Sequence, residues 1–239
     1  MNPVLAPTKP HEDGTYAHRT FDKYASLDIL KENPGEICVM SGNEAVARGA
    51  LEAGVAVATS YPGSPTTYIL DNLSYAAQKY GFHAEWSVNE KVGFEVALGA
   101  AMVGKYAMHI TKNVGMSWIM DPLINQRGWL FHGALVIAIG DDPEANTTSV
   151  EMDCRQLAMA AEIPVLTPST HQEVKDYTYE AFRMSERLGH VVMVEMTRVL
   201  CYGRGMVEIG AIDHETRNRA ASNDRDPIHW TCNVSPEYL

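Results

Sequence analysis

Between residues 36 and 196, short apolar runs alternate with segments of helical periodicity, and this alternation constrains the fold more than any other feature. The predicted strands are 36–40, 55–61, 82–88, 105–111, 134–140, 164–168 and 190–196. The predicted helices are 43–54, 65–80, 89–104, a segment after Gly115, 149–161 and 170–189. Several strands, such as ALVIAIG (134–140), are apolar on both faces, as parallel strands covered by helices are. The pattern predicts an α/β fold with a parallel sheet of about six or seven strands and helices on both faces.

The two ends of the chain lack this periodicity. Residues 1–35 are Pro-rich and predict an N-terminal arm, in which Tyr16, Phe21 and Tyr24 would lie against another surface. The α/β domain is predicted to span 36–205. Residues 206–239 form a predicted C-terminal tail, and its polar part from residue 212 should become ordered only against a partner.

Charge and cysteine content exclude several classes of function. The 239 residues carry 30 acidic and 19 basic side chains, a net charge of −11, which argues against nucleic acid or an anionic membrane as the main partner. Four separated cysteines with no CxxC pair cannot build a local zinc or iron–sulfur site, and they predict reduced thiols in the cytoplasm: Cys38, Cys154, Cys201 and Cys232. The sequence shows no apolar leader and no long apolar span, so we expect neither secretion nor membrane insertion.

The turn YPGSPTT (61–67) follows a predicted strand and opens a predicted helix. Its prolines and Gly63 shape the backbone, and Ser64 or Thr66 can cap the helix. The turn can be a plain strand-to-helix connection. Alternatively, its amides and hydroxyls can bind an anion at the positive end of that helix. The local residues leave both interpretations open.

Two further turns also follow predicted strands, where ligands bind in open α/β sheets. Glu90 begins a helix rich in Val, Ala and Gly, which favours a closely packed, buried helix. A glutamate there can serve the helix dipole or act as a catalyst, and local residues do not decide between them. In TKNVGMS (111–117), Lys112 and Asn113 precede a glycine, and a helix-entry turn is the simplest interpretation.

The segment IGDDPEANTTS (139–149) offers Asp141, Asp142 and Asn146 as apparent metal ligands. Asp-Pro and Asn-Thr pairs are, however, ordinary turn and capping residues. We therefore predict a structural turn here and no metal ligand in this chain.

Five blocks occur in a fixed order: GNEAVARGALEAGVAVATSYPGSPTT, EWSVNEKVGFEVALGAAMVG, TKNVGMSWIMDPL, VIAIGDDPEANTTSVEMDCRQLA and IPVLTPSTHQEVKDYTYEAF. Together they resemble the pyrimidine-binding domain of the 2-oxoacid:ferredoxin oxidoreductase family, and they are most similar to its indolepyruvate-type alpha subunits. The resemblance covers roughly residues 37–205. It implies that thiamine diphosphate lies between two similar α/β domains, of which this chain supplies the one that holds the aminopyrimidine.

The resemblance also implies roles for individual residues. Glu90 would be the catalytic residue, hydrogen-bonded to the pyrimidine N1′ and thereby activating the cofactor. The other residues implied to contact the cofactor are Pro62, Gly63, Val114 and Gly115. Those implied to bind the substrate are Ser64, Thr66, Lys112 and Asn113, with the Ser64 hydroxyl and nearby amides facing the substrate carboxylate.

The implied reaction is oxidative decarboxylation of a 2-oxo acid, with aryl acids among the candidates, to an acyl-CoA. The chain contains neither a GDG motif with a downstream Asn nor a ferredoxin-type CxxCxxCxxxCP motif. The resemblance therefore implies a diphosphate-binding partner with Mg²⁺, an iron–sulfur subunit of ferredoxin type, a gamma-type subunit and a coenzyme A site on a partner. We expect a cytoplasmic hetero-oligomer with two-fold symmetry.

Two positions depart from the usual indolepyruvate-type pattern. The turn reads YPGSPTT where relatives read YPGTPSS, and Asn113 stands where they often have His. The hydroxyls survive, but the substrate can differ. The alternatives are a non-oxidative 2-oxo acid decarboxylase split over two subunits, a scaffold subunit with the same fold, and a different redox enzyme acting on an unusual aryl substrate.

Overall fold

The computed structural model describes residues 27–128 and 130–222. Tyr16, Phe21, Tyr24 and Cys232 lie outside the described residues. Among the residues described, eight strands are present: β1 (Ile37–Ser41), β2 (Val57–Ser60), β3 (His83–Trp86), β4 (Tyr106–Lys112), β5 (Ala134–Asp141), β6 (Val165–Leu166), β7 (Val192–Thr197) and β8 (Arg204–Glu208). The α-helices in the same part of the chain are α1 (Gly42–Ala53), α2 (Thr67–Tyr80), α3 (Glu90–Met102), α4 (Asn113–Asn125), α5 (Cys154–Ala160), α6 (His171–Leu188), α7 (Arg198–Tyr202) and α8 (His214–Asn218).

Six strands form one parallel sheet in the order β3-β2-β4-β5-β7-β6. Helices cover both of its faces, as the alternation along β5 shows. Leu135, Ile137 and Ile139 pack in a core with α3, α4 and α5. Ala134, Val136 and Ala138 pack in a second core with α1, α2 and α6. The predicted α/β fold with a parallel sheet is therefore confirmed.

The first predicted strand does not join this sheet. β1 instead pairs antiparallel with β8 in a separate two-stranded sheet, with Val39 opposite Met206. The run ICVMS is apolar almost throughout, but only Cys38 and Met40 are buried, whereas Ile37 is 62% and Val39 52% exposed. β1 is therefore buried on one face only, as expected for a strand of a two-stranded sheet at the surface. Its apolar residues do not alternate with polar ones, so the sequence does not show which face is exposed.

Regular structure also continues past Arg204, where the sequence pattern predicted its end. β8 crosses the predicted boundary at 205/206, and α8 packs against the domain. The buried Arg217 guanidinium donates to the carbonyl oxygens of Val55 (3.1 Å) and Leu51 (3.2 Å) at the end of α1. This segment is held on the domain by hydrogen bonds from polar side chains to backbone carbonyl oxygens. Hydrophobic periodicity does not detect such contacts, so it did not predict the segment. Residues 223–239 of the predicted tail lie outside the described residues.

Helix starts differ from the predictions where capping residues set them. α5 begins at Cys154, not near 149, because the Asp153 carboxylate caps it by accepting from the Arg155 amide. α4 begins at Asn113, before the predicted glycine.

The cysteine thiols and the lengths of the helices bear on two of the sequence-based predictions. Cys38, Cys154 and Cys201 are free and buried, and burial raises the pKa of the Cys154 and Cys201 thiols. Across 27–128 and 130–222, every helix is too short or too polar to cross a membrane.

Candidate functional site

The turn 61–67 lies across the carboxyl ends of β4 and β5. A Cβ atom on Gly140, at the end of β5, would lie only 2.7 Å from Pro65 Cγ and from Thr66 Cγ2. The Thr66 hydroxyl lies within hydrogen-bond distance of the Thr111 carbonyl oxygen on β4 (3.1 Å). On the other side, Asn43 donates from Nδ2 to the Pro65 carbonyl oxygen (3.0 Å). The turn is thus held from three elements, and glycine at position 140 permits the close approach.

Ser64 and Thr66, the two residues of this turn predicted to bind substrate through their hydroxyls, lie in different surroundings. Thr66 is the N-cap residue of α2, but its side chain makes no capping bond and is buried against backbone carbonyls. Of the two hydroxyls that could cap the helix, that of Thr66 therefore does not, although Thr66 occupies the N-cap position. Ser64 is half-buried at the tip of the turn, and its side chain lies near Tyr202. Next to the tip, the Lys112 side chain packs on Gly63, where a Cβ atom would lie only 2.9 Å from Lys112 Cδ.

Glu90 is the first residue of α3, and the Asn89 side chain caps the helix by accepting from the Val92 amide (2.9 Å). The Glu90 side chain is 8% exposed. Across residues 27–128 and 130–222, no side chain or backbone group donates a hydrogen bond to its carboxylate. A carboxylate at a helix start without a protein partner among these residues is free to form a hydrogen bond with a ligand.

Gly115, in the first turn of α4, lies directly against this carboxylate. A Cβ at position 115 would lie 3.0 Å from Glu90 Oε1 and 2.1 Å from Thr111 Oγ1. Only glycine therefore lets α4 pack this close to Glu90 and Thr111. The predicted pair of Glu90 and Gly115 does come together in the structure.

A buried polar group below α3 was not predicted from the sequence. The Thr59 hydroxyl donates to the Gly93 carbonyl oxygen (2.8 Å) and lies 3.0 Å from His109 Nδ1. The His109 ring packs edge-on against Phe94, and full burial lowers the His109 pKa to about 3, so the imidazole is neutral at pH 7. These contacts hold the first two turns of α3 on the sheet. The available signal was a Thr and a His in strands that are otherwise apolar.

Asn113 does not join Ser64 and Lys112. Its side chain is buried and donates to the Val150 carbonyl oxygen (3.2 Å), so it fastens the loop before α5. In the same loop region, the Asp142 carboxylate accepts from the Thr148 amide (3.0 Å) and from Arg198 Nε (3.1 Å). These contacts agree with the predicted turn chemistry of residues 139–149.

Substituting Gly115 by alanine should destabilise the chain, because the new methyl group would collide with Thr111 Oγ1 and press on Glu90. We expect the free energy of unfolding to fall by about 1–3 kcal/mol. Gly99, on α3, has open space where a Cβ would be, so Gly99→Ala should instead raise stability by about 0.5–1 kcal/mol. Urea unfolding of both variants measures this, and a Gly115→Ala variant as stable as Gly99→Ala would contradict the contact.

The chain is an α/β domain with a parallel sheet covered by helices on both faces, and Glu90 at the start of α3 meets Gly115 of α4 at the sheet edge where such folds bind ligands. Residues 48–233 match the family model described as "Pyruvate flavodoxin/ferredoxin oxidoreductase, thiamine diP-bdg". The chain belongs to this family of thiamine diphosphate-binding domains.

Curated proteins with similar sequences are named as indolepyruvate oxidoreductase or 2-oxoglutarate synthase subunits. The chain is 40% identical over 196 residues to the indolepyruvate oxidoreductase subunit IorA of Archaeoglobus fulgidus, covering 80% of this chain and 32% of the relative. It is 40% identical over 189 residues to IorA of Thermococcus kodakarensis, covering 79% of this chain and 29% of the relative. The 2-oxoglutarate synthase subunit KorA of Archaeoglobus fulgidus is more distant, at 24% identity. The chain therefore spans about a third of the length of the IorA relatives that it matches.

The fold also matches a solved structure, a 2-oxoglutarate:ferredoxin oxidoreductase from Magnetococcus marinus with 2-oxoglutarate, coenzyme A and succinyl-CoA bound. The TM-score is 0.66 at 18% sequence identity, and the match covers 78% of this chain and 33% of that chain. This likeness establishes the fold.

Proposed function

We propose that this chain supplies the aminopyrimidine-activating half-site of a multi-subunit, thiamine-diphosphate-dependent 2-oxoacid:acceptor oxidoreductase. One observation carries the proposal: Glu90 is only 8% exposed at the start of α3, and its carboxylate has no hydrogen-bond partner among the described residues. Gly115 leaves the space beside it free of a side chain. A buried acceptor beside a glycine cradle fits the aminopyrimidine ring of thiamine, which presents a nitrogen to be protonated.

Thiamine diphosphate, when bound, supplies the carbon nucleophile that adds to the ketone of a 2-oxo acid. Glu90 holds the proton that is shared with the pyrimidine N1′. Gly115 and Val114, in the first turn of α4, and Pro62 and Gly63, in the turn 61–67, border the cofactor. His109 and Thr59 hold α3 in place below Glu90.

The substrate carboxylate is bound at the tip of the turn 61–67. Ser64 offers a half-buried hydroxyl there, and Lys112, which packs on Gly63, offers an ammonium group. Thr66 supports the turn through its hydrogen bond to the Thr111 carbonyl oxygen, whereas the Asn113 side chain bonds to Val150 and lies apart from Ser64 and Lys112. An aryl 2-oxo acid is the proposed substrate class, because identity to subunits named for indolepyruvate (40%) exceeds identity to those named for 2-oxoglutarate (24%). Coenzyme A is the proposed acyl acceptor, and ferredoxin-type iron–sulfur clusters on a partner accept the electrons.

An apolar surface on α3 and α4 supports a partner beside Glu90. Val88 is 78% and Trp118 65% exposed, and Val92 and Val96 are each 37% exposed on α3. Contiguous exposed apolar side chains mark interaction surfaces. We propose that the diphosphate- and Mg²⁺-binding partner docks here, within a cytoplasmic hetero-oligomer of two-fold symmetry that also contains iron–sulfur and gamma-type subunits.

The isolated chain should bind thiamine diphosphate with a Kd weaker than about 1 mM, since it offers only the pyrimidine contacts. The complex purified from its native source should bind the cofactor with Mg²⁺ in about the micromolar range. Isothermal titration calorimetry on both samples measures the difference. Micromolar binding to the lone chain would show that this chain holds a complete cofactor site, and a colourless complex without iron–sulfur clusters would favour a non-oxidative decarboxylase.

A further inference from the structure

A second group of polar side chains lies at the carboxyl ends of β5 and β7. Ile139 of β5 pairs with Glu195 of β7, and Asp141 pairs with Thr197. Asp141 and Glu195 lie at positions that alternate with the core side chains facing α1, α2 and α6, so both face the α4 and α5 side of the sheet. This is the edge at which open parallel sheets bind ligands.

Both carboxyl groups are buried and incompletely bonded. Each residue is 4% exposed. Asp141 Oδ2 accepts from the Cys154 amide (2.9 Å), but Asp141 Oδ1 and Glu195 Oε2 have no hydrogen-bond partner among the residues the structure describes. Burial raises the pKa of both carboxyls. Two buried orphan acceptors on neighbouring strands are costly in the free chain and indicate a missing donor.

The two carboxyls line a cavity of about 400 Å³ whose other lining side chains include Glu151, Asp153, Arg155 and Thr167. Four carboxyl groups thus face one guanidinium. That guanidinium is already engaged, since Arg155 donates from Nε (2.9 Å) and Nη2 (2.8 Å) to the two oxygens of Asp153. The cavity therefore combines excess negative charge with two buried acceptors that lack a donor.

The geometry points to this cavity as a binding site for an organic cation, an ammonium or guanidinium group held by Asp141 and Glu195. A metal ion is disfavoured because, within 27–128 and 130–222, no three His, Cys, Asp or Glu side chains are grouped to hold one. The volume also exceeds what a single ion needs, and it admits a short aliphatic chain behind the charged group. The group can belong to a free amine or to a Lys or Arg side chain of a partner subunit.

Calorimetric titration of the full chain with agmatine, which carries both cationic groups, tests this site. We expect a Kd of about 1 mM or tighter, with urea, the neutral analogue of guanidinium, giving no binding. Asp141→Asn and Glu195→Gln should each weaken agmatine binding at least about tenfold. Both are isosteric and remove a buried charge, so the variants should melt at or above the wild-type temperature without agmatine.

Glu151→Gln is the matched control, because it removes an exposed carboxylate from the same cavity. It should change the agmatine Kd by less than about threefold, as expected for a screened charge. Three results would overturn the site: no agmatine binding, equal binding by Glu195→Gln, or tighter binding of Mg²⁺ that the same variants abolish.

The same titration on the complex from the native source distinguishes the two origins of the cation. If a partner's Lys or Arg fills the cavity, the complex should bind no agmatine while the isolated chain does. If a free amine is the natural ligand, the complex should bind agmatine as the isolated chain does. Once the isolated chain has been shown to bind agmatine, either result with the complex supports the cavity as a cation-binding site.

Discussion

Replacing Glu90 by glutamine should lower 2-oxo acid oxidation by the assembled complex at least about 100-fold. Glutamine keeps the size of the side chain and one hydrogen-bond acceptor, but it cannot share a proton with the pyrimidine N1′. The substitution also removes a buried carboxylate that has no protein partner among the described residues, so folding and assembly should be preserved. Steady-state turnover and hydrogen–deuterium exchange at the thiazolium C2 measure the two consequences separately.

Glu95 is the control on the same helix. It lies one and a half turns further along α3 and is exposed, so Glu95→Gln should change turnover less than about tenfold. Near wild-type C2 exchange and turnover in Glu90→Gln would show that this subunit does not activate the cofactor. The scaffold interpretation would then replace the catalytic one.

The parallel sheet could be predicted from sequence because its strands are apolar on both faces and its helices keep their spacing. The same reasoning placed β1 among the sheet strands, since ICVM is apolar at every position. β1 lies outside the parallel sheet because it pairs with β8, which is distant from it in the sequence. In this pair, the side chains of Val39 and Met206 are exposed to solvent. Long-range pairing of this kind leaves no local signal in one sequence.

Residue type and position were enough to single out the residues of the candidate site, while their roles remain predictions. A glutamate at a helix start and a glycine after the next strand were singled out, and Glu90 and Gly115 do meet. Side-chain direction was not predictable. Thr66 and Asn113 carry polar groups suited to a substrate, yet both are buried and bonded to backbone carbonyls. Whether a polar group faces a pocket or fastens a loop depends on tertiary packing.

A second large effect is expected on a different element from Glu90, at Arg48 of α1. This arginine is fully buried, donates from Nε to Glu52 Oε1 (2.7 Å), and donates from Nη1 to the Ile29 carbonyl oxygen (2.9 Å). Glu52 in turn accepts from Lys175 Nζ (3.0 Å) on α6. The network joins the segment before β1, α1 and α6, so Arg48→Met should lower the free energy of unfolding by about 3–5 kcal/mol by leaving Glu52 and the carbonyls underpaired.

Chemical denaturation of the isolated chain measures this loss, with Arg187→Met as the control. Arg187 is exposed in the last turn of α6, and its substitution should change stability by no more than about 0.5 kcal/mol. The physical cause is tested by the triple variant Arg48→Met, Glu52→Leu, Lys175→Met. Because a buried ion network replaced as a whole leaves no uncompensated charge, the triple variant should recover at least about 1 kcal/mol over Arg48→Met alone. A triple variant less stable than the single one would contradict this cause, because it would mean that the Glu52–Lys175 pair still stabilises the fold once Arg48 is lost.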